Sequence, residues 1–122
     1  MNNWSGPVEE FLNFFRESER AYHMAEAEEQ EAWAGVLDLY HDIELTEHTE
    51  SELLTLCLRQ KDFLQRRRRA KDLLQATAPM LAYIETHRKE IKELEQLLGE
   101  IRKAERRTEN RIYTPRGGSG KP

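Results

Sequence analysis

Apolar residues recur along most of this chain at steps of three and four, the spacing that places side chains on one face of an α-helix. In the first half they are Val8, Phe11, Leu12, Phe15, Tyr22, Trp33, Val36, Leu37 and Tyr40, with Ser18, Ala25 and Glu29 filling the gaps. That face predicts one long aromatic helix over about 7–41. Ser5 with Pro7 just inside it makes a plausible start, since proline is tolerated in a first turn. Thr49 followed by Glu52 has the capping-box spacing and marks a second helix start. Its seam runs Leu53, Leu56, Gln60, Phe63, Arg67, Ala70, Leu74 and Thr77, alternating three and four in the manner of a coiled coil.

Pro79 disfavours helical angles in the residue before it, so helix two is expected to end near 77, with a short turn helix at 79–86. The clearest heptad, Ile84, His87, Ile91, Leu94, Leu98 and Ile101, leads into and through a last helix over 87–109. Two heptad stretches flanking a proline break predict an antiparallel hairpin between helix two and the last helix. The aromatic helix is its natural third layer, because a hairpin alone has two faces to cover. The expected fold class is therefore all-α: an elongated, coiled-coil-like antiparallel helical hairpin with an additional N-terminal amphipathic helix. A single domain is expected over 1–115, with a disordered tail at 116–122 where "GGSGKP" loses helical character.

Composition narrows this further. In 122 residues, 38% hydrophobic and 34% charged, there is material for a modest core only. No run approaches the roughly 20 apolar residues of a membrane span, and the N-terminus lacks a signal-peptide pattern. A soluble cytoplasmic protein is expected. The single cysteine, Cys57, rules out an internal disulfide and reads as a small buried or half-buried hydrophobe.

Charge is unevenly divided. Residues 1–50 hold 13 acidic and 2 basic side chains, and residues 51–122 hold 10 acidic and 17 basic. The run Arg66, Arg67, Arg68 and Arg69 cannot form one stripe, because successive helical residues turn by about 100°. Arg67 falls on the seam and calls for an acidic partner, for which the "EAEEQE" stretch of helix one is the obvious source. Part of the run is expected to fasten helices and part to stay exposed. Arg66, Arg68, Arg69, Lys71, Arg102, Lys103, Arg106 and Arg107 are the residues a nucleic-acid-binding accessory factor would use. The net charge of −4 and the lack of aromatics among the arginines put that reading second.

Catalytic patterns are sparse. His41, Glu44 and His48 would share a helical face and could offer donors to a metal, but the neighbouring Thr46 and Thr49 point to a connecting segment. Glu28 with Glu31, and Glu90 with Glu93, have the spacing of magnesium-binding all-α pyrophosphohydrolases, with Asp38 and Asp42 as forced second ligands. A metal-dependent all-α hydrolase is accordingly the third reading. "GGSGK" is not preceded by a strand or followed by a helix, so it is no phosphate loop. Neither a metal nor another cofactor is expected. Phe11, Phe14, Phe15, Tyr22 and Trp33 exceed what one groove needs, which predicts a homodimer or a protein partner docked on them.

The stretches "LLQATAPMLAYIETH" and "RKEIKELEQLLGEIRKAERRTENRIYTPR" resemble the C-terminal part of small, uncharacterised helical proteins of Gram-positive bacterial phages and prophages. The likeness spans about Leu53 to Arg116. It implies a small phage accessory protein in the host cytoplasm, binding a host or phage factor. The leading reading is a non-enzymatic interaction or regulatory module.

Overall fold

The computed structural model describes residues 3–111. They form three helices, α1 (Ser5–Leu45), α2 (Glu50–Thr86) and α3 (Arg88–Glu109), and no strand among the described residues. The all-α class is as the periodicity predicts. The expected tail at 116–122 lies outside the described residues. No helix among the described residues is long and apolar enough to cross a membrane.

The main departure is at Pro79, which lies inside α2 instead of ending it, so the expected boundary at 77 and the separate turn helix at 79–86 are absent. Proline removes the N–H that would reach the carbonyl of Gln75 and costs a helix about 3 kcal/mol. Pro79 is exposed, which leaves that carbonyl open to water. Buried Ala70 and Ile84 hold the helix on both sides of the proline. The break comes eight residues later, at His87, whose backbone N–H donates to the carbonyls of Tyr83 and Ile84.

The residues fall into two compact units. In the unit formed by residues up to Asn13 with those from Arg88 onward, the first turns of α1 lie antiparallel to α3. Leu12 and Leu98 are its buried residues, with Val8, Ile91, Leu94 and Ile101 half-buried around them. The α1 start is capped twice. Asn3 Oδ1 accepts from Gly6 N at 3.2 Å, and Glu105 Oε2 accepts from Trp4 N and Ser5 N at 3.0 and 3.1 Å. A carboxylate is favoured there because the helix N-terminus carries positive partial charge.

In the Phe14–His87 unit the antiparallel hairpin is made by α1 and α2, whereas the sequence assigns it to helix two and the last helix. Phe15 stacks on Tyr83 at 6.0 Å between centroids, Arg66 meets Glu28, and Gln60 Nε2 donates to the Val36 carbonyl. The arginine run thus finds its partner in α1. Buried Ala25, Ala32 and Ala70 allow close approach, and Val36, Leu39 and Leu56 fill the seam. Thr49 and Glu52 form the expected capping box, with Thr49 Oγ1 accepting from Glu52 N and Glu52 Oε1 accepting from Thr49 N. The bond from Thr49 N, together with the Thr49 hydroxyl, holds the Glu52 carboxyl below its ordinary range.

Candidate interaction surface

The four arginines divide as helical rotation requires. Arg66 Nε donates to Glu28 Oε1 at 2.7 Å, its Nη2 lies 3.7 Å from Glu31, and its guanidinium sits 5.3 Å from the Phe63 ring centroid. The hydrogen bond from Arg66 holds the Glu28 carboxyl below its usual range against the opposing effect of burial. Reciprocally, Glu28 raises Arg66. Arg67 Nε donates to Glu29 Oε1 at 3.1 Å, and its guanidinium lies 4.2 Å from the Trp33 ring centroid. Arg68 and Arg69 are exposed. Arg67 is the seam arginine, and it has the acidic partner its position demands.

Two further basic groups are visible. Lys61, Arg68 and Lys71 line a shallow hollow on α2 together with Leu64, Gln65 and Arg67. On α3, Lys103, Arg106 and Arg107 line another with Asn110, while Arg102 is taken up by an ion pair with Glu9. The candidate nucleic-acid residues are thus of two kinds, with Arg66 and Arg102 committed to carboxylates and the others solvent-facing.

The aromatic set also divides. Phe15 is buried against Tyr83, so it belongs to the core and not to a docking surface. Tyr22 is half-buried. Phe11 and Phe14 are each 53% exposed on α1. Trp33 is 39% exposed and heads a row with Leu37 (40%) and Tyr40 (55%) at steps of four and three, one side of α1. The Trp33 end is bridged to α2 by Arg67, beside which lies Leu64, 46% exposed. The sequence groups Trp33, Leu37 and Tyr40 with Val36 as one face, whereas of these four only Val36 points into the seam. Cys57, expected to be at least half-buried, is exposed, because Leu56 takes the inward position beside it.

The acidic pairs do not converge on a vacant centre. Glu28 and Glu31 both face Arg66. His48 Nε2 lies 3.2 Å from the Asp42 carbonyl and 3.5 Å from its carboxylate, at the turn between α1 and α2. Among the described residues no three histidine, cysteine, aspartate or glutamate side chains are grouped to hold a metal ion. Protein-family models, curated proteins and solved structures offer no match to the chain.

Proposed function

We propose that the protein is a non-enzymatic interaction module that docks another helical surface on one face of the α1–α2 hairpin. The observation that carries this is the row Trp33, Leu37 and Tyr40, continued across Arg67 to Leu64. Four large apolar side chains stay 39–55% exposed, side by side, on two adjacent helices. Rows of aromatic and aliphatic anchors at steps of three and four are how helices are recognised in grooves, and aromatics with an adjacent arginine are the residue types enriched where binding energy concentrates. The phage-accessory setting implied by the C-terminal resemblance would make the bound chain a host or phage protein.

The test is the size of assemblies in cell extract fixed with a short cross-linker, for the native chain and for Leu37→Glu/Tyr40→Glu. Both substituted positions are open to solvent, so helicity by circular dichroism should hold. The native chain should appear in a discrete assembly larger than a monomer that the variant does not form. An unchanged assembly in the variant would overturn the reading.

A second reading, nucleic-acid binding, is favoured by one observation: Lys61, Arg68 and Lys71 line one hollow without a carboxylate among them. It predicts fluorescence-anisotropy binding of short RNA or DNA that weakens steeply with salt and is lost on Arg68→Glu/Lys71→Glu. Absence of binding at low salt removes it.

A further inference from the structure

The hairpin face just described carries a charge pattern that selects its occupant. Between residues 26 and 44, α1 has seven acidic side chains and no basic one, and between 59 and 71, α2 has seven basic and one acidic. Since Arg67 meets Glu29 and Gln60 meets Val36, the basic stretch lies level with about 25–37 of α1, which holds Glu26, Glu28, Glu29 and Glu31. Only part of the charge is consumed internally. Glu26 has only an exposed contact with His23 at 3.7 Å, and Arg68 and Lys71 face the open hollow beside Leu64. The surface is thus an apolar centre with an acidic edge on one helix and a basic edge on the other.

Such a surface is complementary to itself, and resting on the docking reading above, we propose that a second copy of this chain covers it. Two-fold pairing of two hairpins face to face can be made in two ways. An axis perpendicular to the helices stacks α1 on α1 and α2 on α2, acid upon acid and base upon base. An axis parallel to the helices places each α1 over the partner's α2 at the same height. Only the second matches opposite charges, and like charges brought together across an interface oppose association. In that arrangement Trp33 meets the partner's Leu64, Leu37 and Tyr40 lie over the partner's Gln60 and Cys57, and Glu26 faces the partner's Arg68 and Lys71.

The dimensions suit a modest, stable interface. The stretch 26–44 is about 27 Å long at 1.5 Å per residue, and two helices side by side are about 20 Å wide. The two copies together would cover on the order of 1,000 Å², the lower end for specific association. A four-helix arrangement of this kind also gives the thin seam of Ala25, Ala32 and Ala70 a second layer to pack against.

Sedimentation equilibrium of the purified full chain tests this, and the expected result is a dimer. Leu37→Glu should give a monomer with unchanged helicity. Glu26→Lys alone, and Arg68→Glu/Lys71→Glu alone, should each weaken association by about tenfold, and combining the three should restore it. A native chain that stays monomeric overturns the proposal. If it does so while still forming the Leu37-dependent assembly in cell extract, the docking reading stands and the occupant is a different protein. A dimer indifferent to Leu37→Glu, or a combined variant no stronger than its parents, equally overturns the proposed pairing.

Discussion

The ring of Phe63 rests directly on the backbone of Gly35: a Cβ built at Gly35 would come within 2.5 Å of Phe63 Cε1 and 2.7 Å of Cδ1. Glycine inside a helix costs about 1 kcal/mol relative to alanine, so its presence there reflects this contact. Gly35→Ala should therefore destabilise the hairpin by up to about 2 kcal/mol, an overpacking cost of roughly 1–3 kcal/mol less the gain in helix propensity of about 1 kcal/mol. In a Phe63→Ala background the same change should reverse sign and stabilise by about 1 kcal/mol. Urea melts of the four chains check this, and a Gly35→Ala effect of the same sign in both backgrounds would show that the ring is not the obstacle.

Gly99 offers the contrast, because nothing lies within 4 Å of a Cβ built there. Gly99→Ala should raise stability by about 1 kcal/mol through propensity alone. A loss of stability on thermal melting would contradict the open environment at that position.

Pro79 sits in the interior of α2 on an exposed position. Pro79→Ala restores an N–H to the Gln75 carbonyl and should stabilise the protein by about 1–3 kcal/mol. Native-state hydrogen exchange should show slower exchange of the amides around residue 79. Unchanged exchange there would mean that the proline imposes no local weakness.

Three carboxylates, Glu28, Glu52 and Glu105, are held below the ordinary glutamate range by Arg66, by Thr49, and by Ser5 with Trp4 respectively. A group whose folded-state pKa is depressed contributes stability that is complete above its unfolded value and fades as pH falls through the folded one. The stability these three groups contribute should therefore be lost as the solution is acidified below the ordinary glutamate range. Glu105→Gln should lessen that acid dependence and speed exchange of the amides at Trp4 and Ser5. An acid profile identical to that of the native chain would remove Glu105 from the account.

Local signals carried the helices. Thr49 and Glu52 are three residues apart and form the capping box they spell, and the seam positions Leu56 and Ala70 are buried as their spacing requires. The hairpin pairing was less legible, because both α1 and α3 present periodic faces to α2 in the sequence and a proline suggested the corner. What decided the pairing was long-range: Arg66 and Arg67 with Glu28 and Glu29, and Phe63 on Gly35, each across many residues of chain. Glu105, which caps a helix 100 residues away, has no local signature at all. For the candidate surface, a period of three to four cannot tell the inward Val36 from the outward Leu37. Their directions differ by one helical step, and only the position of the neighbouring helix separates them.

Arg67 unites two of these features, since one guanidinium both donates to Glu29 and lies over the Trp33 ring. A lysine ammonium keeps the charge, but it has neither the planar fork nor the flat face that stacks on an indole. Arg67→Lys should thus cost about 1 kcal/mol, most of it from the lost stacking. Coupling with Trp33→Leu in a double-mutant cycle isolates that part. The indole emission of Trp33, read in a Trp4→Phe background, should shift on Arg67→Lys as the ring loses its cover. If the emission stays unchanged and the cycle shows no coupling, the pair is adjacent without being energetically linked. The exposed row beginning at Trp33 would then have to be held in place by the seam residues Ala32, Val36 and Leu39.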